Sequence, residues 1–323
     1  VIPDTAEVDI VRLARQALAA APTLARPPWV KVPRLSGHAR ELMDRPLTGL
    51  HTVCRSANCP NIGECWGRGT ATFMVMGDKC TRACRFCNVD FGAPEPLNPH
   101  EPSLLAQSIA ELGLKYSVIT CVDRDDLADS GAAHWAQCIG AIRERTPEVG
   151  IEILTGDFKG RREDIATVVH ARPEVFAHNV ETTPRLQPLV RHKARWETSI
   201  RVLTTVQELA RQHGYTILTK TGMMLGLGET NDEVKAAMRL ISGEGVDLLT
   251  LGQYLKPKQR DDKLPMLRFV TPDEFEELRQ YGYELGFKGV AASPLTRSSH
   301  LAETLFADAM GWPQPVQSYR IWQ

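Results

Sequence analysis

Residues Val53 to Asp90 read VCRSANCPNIGECWGRGTATFMVMGDKCTRACRFCNVD and hold six of the chain's eight cysteines, in two sets of three. Cys54, Cys59 and Cys65 are spaced C-x4-C-x5-C, and Cys80, Cys84 and Cys87 are spaced C-x3-C-x2-C. A cubane 4Fe-4S cluster has four irons, so three thiolates leave one iron for a ligand that is not cysteine. That position is open to chemistry. A disulfide framework is typical of small secreted domains, and this long chain shows no sign of export. Structural zinc favours closed four-ligand sets built from C-x2-C knuckles, and only Cys84 to Cys87 has that spacing. Two iron-sulfur clusters are the expectation.

From Thr70 onward the pattern alternates. Apolar, β-branched runs at Thr72–Met76, Tyr116–Val122, Gly150–Leu154, Val175–Val180, Tyr215–Leu218, Val246–Leu251 and Lys288–Ala292 predict strands. Helix-like segments fall between them, near 101–113, 132–145, 161–171, 196–212, 230–243 and 272–285, one of them opened by Thr271-Pro272. Repeated βα units predict an α/β fold with a parallel sheet, here a partial, TIM-like (β/α)6 barrel. Its expected span is 71–292, with an N-terminal extension over 1–70 and a C-terminal extension over 293–323.

Barrels of this kind carry their active sites at the C-terminal ends of the strands. Those ends hold Asp123-Arg124, Thr155-Gly156-Asp157, His178-Asn179 with Glu181, Lys220, Gln253-Tyr254 and Ser293. Polar residues end strands in any protein; their convergence on one mouth is what points to a site. The loop of Cys80, Cys84 and Cys87 follows the first strand and opens onto that mouth.

The run Cys80-Thr-Arg-Ala-Cys84-Arg-Phe86-Cys87, with an aromatic before the last cysteine, resembles the signature of the radical S-adenosylmethionine (SAM) superfamily. The context CPNIGECW around the first set, followed by GDKCTRACRFCNV, resembles the lipoyl synthase family within it. So do VDRDDLADSGA (Val122–Ala132), HNVET (His178–Thr182), KTGMMLGLGET (Lys220–Thr230), LGQYLKP (Leu251–Pro257), RFVTPDEF (Arg268–Phe275) and PLTRSS (Pro294–Ser299). The resemblance spans about residues 28 to 305 and implies a barrel of the radical SAM type.

It also implies two 4Fe-4S clusters and SAM. The cluster on Cys80, Cys84 and Cys87 would cleave SAM to a carbon radical that abstracts hydrogen. The cluster on Cys54, Cys59 and Cys65 would be consumed as the source of two sulfur atoms, inserted at C6 and C8 of a protein-bound octanoyl chain. The family's fourth ligand there is a serine of an R-S-S-Y motif, matched by Arg297-Ser298-Ser299-His300; Ser298 and Ser299 are both candidates, Ser299 preferred. An alkoxide suits iron-sulfur chemistry poorly and can leave. As a plain alternative, Arg297 to Ser299 caps the helix of LAETLFADAM. His300 in place of tyrosine and Arg55-Ser56 in place of two acids depart from the family pattern and put the fourth ligand and the acceptor in question.

Around SAM, Asn179 and Glu181 are expected at the polar ends of the cofactor. The turn Leu225-Gly226-Leu227-Gly228 is expected to offer close backbone approach, or else to be a plain strand-to-helix connection. Lys220 is expected as a charge partner, or paired with Glu229 on the rim. The Met-rich stretch Thr221 to Leu225 is a candidate lining for an octanoyl channel, or core. Implied partners are an octanoylated lipoyl carrier domain or a glycine-cleavage carrier protein, an electron donor such as flavodoxin or ferredoxin, and an iron-sulfur carrier that rebuilds the consumed cluster. Two alternatives stand beside this: another radical SAM sulfur-insertion or methylthiolation enzyme, and a non-enzymatic zinc protein.

Composition sets outer bounds. With 323 residues, 43% hydrophobic, the chain can bury one large core. Lys plus Arg number 38 against 39 acids, which predicts no general attraction to nucleic acid or to a membrane surface. No apolar run is long enough to span a bilayer. A reducing compartment follows from the free thiols expected: the cytoplasm, or the mitochondrial matrix in a eukaryote. Helical spacing predicts a helix from Val8 to Ala21, and the prolines of Arg26 to Pro33 predict extended chain. Cys121 and Cys138 fall on an expected strand and helix as buried core thiols.

Overall fold

The computed structural model describes residues 24–31, 37, 41, 50–52, 54, 59, 61–68, 70–257 and 262–313. The helix expected over Val8 to Ala21 and the tail from 314 lie outside them. A two-residue strand β1 (His51–Thr52) pairs antiparallel with β2 (Thr70–Val75). In the cysteine loop that follows, β3 (Lys79–Cys80) pairs with β4 (Asp90–Phe91). Then come β5 (Tyr116–Cys121), β6 (Gly150–Leu154), β7 (Val175–Ala177), β8 (Leu218–Leu225), β9 (Leu248–Gln253) and β10 (Gly289–Ser293). The main sheet runs β1-β2-β5-β6-β7-β8-β9-β10, parallel from β2 onward. Among the described residues no ladder joins β10 back to β1 or β2, so the barrel is open.

The helices are α1 (Ile62–Gly67), α2 (Glu101–Glu111), α3 (Ala132–Arg145), α4 (Arg162–His170), α5 (Gln187–Val190), α6 (Trp196–His213), α7 (Asn231–Gly243), α8 (Pro272–Glu284) and α9 (Ala302–Ala309). Both α7 and α8 start in a capping box, Thr230 with Glu233 and Thr271 with Glu274, where side chains satisfy the free amides of the first turn. Pro272 adds a preset φ at the helix start. Outward strand residues such as Phe73, Ile119, Ile151, Ile153 and Phe176 pack with Trp135, Ile139 and Ile142 of α3. That outer core holds the strands in place.

Inside the barrel the packing is polar at one level. Lys220 Nζ lies 2.7 Å from Glu152 Oε1, and both side chains are fully buried. Tyr116 donates its hydroxyl to the other oxygen of Glu152 at 3.0 Å. The expected rim pair of Lys220 with Glu229 does not form. Lys220 sits early in β8, below the mouth, and its charge is matched inside the lumen.

Strand β8 runs well past the expected Tyr215–Leu218, and β7 stops short of the expected Val180. Lys220 and Gly222 have little strand preference, yet pairing to β9 from Lys220 to Leu225 overrides it. Beyond Ala177 the chain keeps only a bridge from Glu181 to Met223, and Glu181 itself sits at φ 67. A non-glycine residue there is held against its preference, a device found at functional sites. The expected extended run at Arg26–Pro33 contains a turn, with Val30 N donating to Pro27 O at 3.1 Å, because Pro28 presets the φ of its second position.

Candidate metal centres

Cys80, Cys84 and Cys87 lie on the loop after β2, at the mouth. Cys80 Sγ accepts from the amides of Asp123 at 3.3 Å and Arg82 at 3.4 Å, and Cys87 Sγ from Val89 at 3.4 Å. Burial pushes the thiols up, to about 11 at Cys80 and about 12 at Cys84, and their mutual repulsion adds to it. Cys87 shifts the same way. The loop is laced to its surroundings: Lys263 donates to Cys84 O at 3.3 Å, Lys193 to Thr81 O at 3.0 Å, and Leu264 N to Arg85 O at 3.0 Å.

Arg82, between the first two of these cysteines, is the strongest tie. Its guanidinium forks onto Asp125 at 2.7 and 2.8 Å and onto Asp157 with both contacts at 2.7 Å, with Asp123 at 3.7 Å. Burial pushes the Asp157 carboxyl up, but the paired Arg82 outweighs it and holds the group at about 2. Asp123 gains less from Arg82, and burial leaves its carboxyl raised. Asp123 and Asp157 were expected at the mouth, but Arg82, which gathers them with Asp125, was not singled out from the sequence. An arginine inside a cysteine loop, facing the acid-rich VDRDD stretch, was the available signal.

Asn179 and Glu181 do meet at the mouth. Asn179 Nδ2 reaches Glu181 Oε1 at 3.2 Å and Ser298 Oγ at 2.8 Å, while its buried Oδ1 has no hydrogen-bond partner. Gly222 makes room for it: a Cβ there would stand 3.1 Å from Asn179 Oδ1. Burial raises the Glu181 carboxyl, and Arg191 opposes that. The buried Arg191, also missed in the sequence, donates to Asn179 O at 2.6 Å, and its charge acts on Cys84 and Asp123 as well.

Other expected mouth residues are spent on structure. His178 is held between Thr155 O at 2.9 Å and Ser199 Oγ at 3.0 Å. Gln253 bonds Leu225 O, Arg268 O and Val270 N. The amides of Gly226 and Leu227 donate to the Glu229 carboxylate, and Gly226 faces Gln253 and the Arg268 carbonyl. Gly228, at φ 109, turns the chain beside Leu267. This turn approaches the protein's own backbone. Leu225 and Met223 are buried in the outer core with Val234 and Met238. Met224 joins Phe86, Leu227, Tyr254 and Leu264 in an apolar wall beside the cysteine loop.

The first set gathers against the C-terminal segment. Cys54 and Cys65 are buried and Cys59 partly so. Burial raises the thiols of Cys59 and Cys65, the latter to about 12, with neighbouring thiols of the set contributing. Asn61 Nδ2 donates to Leu295 O at 2.6 Å, His300 Nε2 meets Glu64 Oε2 at 3.1 Å, and Arg68 pairs with Glu303 at 3.2 Å. Ser298 is held by Asn179; the Ser299 hydroxyl makes no hydrogen bond to another described residue. Segment 293–300 thus bridges the first set and the barrel mouth, with Leu301 (φ 51) rather than a serine at the start of α9.

Comparison with known proteins places this geometry. The radical SAM superfamily model matches residues 74–241. A lipoyl synthase of Methylococcus capsulatus is 50% identical over 283 residues, covering 87% of this chain and 86% of that protein. The chain belongs to the lipoyl synthase family. A second member, from Thermus thermophilus, is 49% identical over 289 residues, covering 88% and 87%. Among solved structures, methylornithine synthase superposes with a TM-score of 0.53 at 14% identity, covering 77% of this chain and 73% of that one. The maturase HydG gives 0.53 at 13%, covering 95% and 70%. Both share the fold.

Family membership brings SAM and 4Fe-4S clusters, and the donor sets suit them. All eight cysteines are free. Among the described residues no three His, Cys, Asp or Glu close tightly enough to hold one metal ion. Zinc needs four ligands on a single ion, whereas a cubane spreads its thiolates over several irons. Two triplets of free thiols, buried or half-buried, suit the second requirement. No helix among the described residues is long and apolar enough to cross a membrane.

Proposed function

We propose that Cys80, Cys84 and Cys87 hold the SAM-cleaving cluster, and that Cys54, Cys59, Cys65 and Ser299 hold the cluster that donates sulfur to C6 and C8 of a protein-bound octanoyl group. The observation that carries this reading is the bridge from segment 293–300 to both the first cysteine set and Asn179 at the barrel mouth. When bound, the clusters and SAM supply a hydrogen-abstracting carbon radical and the sulfur that replaces the hydrogen.

The chain's own groups position the reactants. Asp123 and Glu181 offer carboxylates to the amino group of SAM, and Arg191 offers a cation to its carboxylate; a raised carboxyl without its own full ion pair gains most from an ammonium. Asn179 Oδ1 is a free acceptor in the same place. The wall of Phe86, Met224, Leu227 and Tyr254 excludes water and accepts apolar atoms of cofactor or substrate. Lys220 and the Gly226–Gly228 turn support the barrel from below and beside the site.

The three-part division at 70 and 292 fits this arrangement, with both flanks meeting over the open side of the barrel. The acceptor is an octanoylated lipoyl carrier domain or a glycine-cleavage carrier protein, the reductant a flavodoxin or ferredoxin, and an iron-sulfur carrier rebuilds the donor cluster. Such chemistry belongs in the reducing cytoplasm. Anaerobic iron and sulfide counting tests the assignment. Replacing either cysteine triplet by alanine is expected to halve the bound iron, and either change abolishes 6,8-dithiolane formation on an octanoylated carrier peptide. Full iron after loss of the first triplet would end the two-cluster assignment.

A further inference from the structure

Each cysteine set has an arginine beside it, and the two are treated differently. Arg82 is saturated by the carboxylates of Asp125 and Asp157. Arg297, partly buried next to the first set, has no carboxylate within ion-pair distance among the described residues. Two acids that meet this part of the chain are engaged elsewhere, Glu64 with His300 and Glu303 with Arg68. Its one side-chain hydrogen bond among the described residues runs from Nη1 to Thr296 O at 2.6 Å, so most of the five guanidinium donors have no partner among them. The seat is fixed: a Cβ at Gly252 would stand 3.3 Å from Arg297 Nη1 and collide with the Thr296 carbonyl. On either side of Arg297, Leu295 accepts from Asn61 at 2.6 Å and His300 meets Glu64 at 3.1 Å, which seats this segment against the chain between Cys59 and Cys65.

A cation withdrawn from water without an anion is costly, and natural sites rarely leave one so. Three thiolates and an alkoxide outweigh the charge of an iron-sulfur core, so the cluster itself is the missing anion. We propose that Arg297 is the counter-charge and sulfur-directed hydrogen-bond donor of the Cys54, Cys59 and Cys65 site. This rests on the assignment of that set to the donor cluster. Because Arg297 ligates nothing, it stays in place when a ligand leaves. Charge and hydrogen bonds around cluster sulfurs set both retention and reduction potential.

The test uses the full-length chain with Cys80, Cys84 and Cys87 changed to alanine, so that only the first set reports. After anaerobic reconstitution with iron and sulfide, iron release to a chelator and the midpoint potential by redox titration are measured for this parent, R297K and R297Q. Removing the charge in R297Q is expected to speed release roughly 10-fold or more and to shift the potential negative. R297K, which keeps the charge, is expected to restore most of both. Circular dichroism checks that each variant is folded. Parent-like release and potential in R297Q overturn the proposal and leave the site assignment standing. A parent that binds no iron removes the assignment, and the proposal with it.

Discussion

Asn179 and Ser298 are 119 positions apart in the chain and joined by a 2.8 Å hydrogen bond. The bond ties the end of a central strand to the C-terminal serine pair, and it occupies one hydroxyl of the two. The Ser299 hydroxyl makes no hydrogen bond to another described residue. Changing Ser299 to alanine is therefore expected to alter the spectrum and speed iron loss of the first-set cluster. Ser298→Ala is expected to spare both. The reverse order, read by Mössbauer spectroscopy and chelator release, would assign the ligand to Ser298.

Arg82 holds the second cysteine loop through two bidentate carboxylate pairs. Arg82→Ala strands Asp157 in a buried position, which typically costs about 3–5 kcal/mol. The variant is expected to lose its iron from the second set first and to unfold at lower denaturant. A lysine at position 82 cannot make both forks and is expected to recover only part. Wild-type iron content and midpoint in Arg82→Ala would show that the clamp is dispensable.

Lys220 and Glu152 form an ion pair with no exposure on either side. Lys220→Met alone leaves a buried carboxylate supported only by Tyr116, again a loss of about 3–5 kcal/mol. Adding Glu152→Met removes the orphan, so the double variant is expected to be more stable than the single. SAM affinity of the double variant, measured by calorimetry, is expected to match wild type. A large drop in affinity would put Lys220 back at the cofactor.

His178 is neutral in the fold. Burial, helped by Arg191, pushes its pKa down to about 4, and Nδ1 donates to Thr155 O while Nε2 accepts from Ser199. The unfolded chain takes up a proton near 6.5 and the native one only near 4, so stability falls as pH drops through that window. The full effect is roughly 3 kcal/mol. His178→Gln is expected to flatten the fall between pH 6.5 and 4 in denaturant titrations. An unchanged slope would assign the acid sensitivity to other groups.

Much of this was legible beforehand, for physical reasons that differ by element. Helix α3 appeared at its expected residues because its 3.6-residue apolar rhythm matches the face it buries against the sheet. Strand β6 did so because a short β-branched run between turn residues has few alternatives. Strand β8 was legible only in pieces, an expected run ending at Leu218 and a Met-rich stretch from Thr221: Lys220 and Gly222 carry little strand preference, and pairing with the neighbouring strands joins the whole. The Gly226 turn looked like a cofactor cradle because glycine announces close approach without naming what approaches. Here it is Gln253 and the Arg268 backbone.

The sequence by itself determined the chemistry. Thiolate number and spacing restrict which metal groups can be held, and the βα rhythm dictates a parallel barrel with its mouth at the strand ends. Tertiary structure alone decided which charges meet. Among the described residues Arg82 finds three acids and Arg297 finds none, while Lys220 turns inward and Asn179 reaches across to Ser298. Such pairings join residues tens to hundreds of positions apart, and no local propensity encodes them; they exist only once the barrel has brought its loops together.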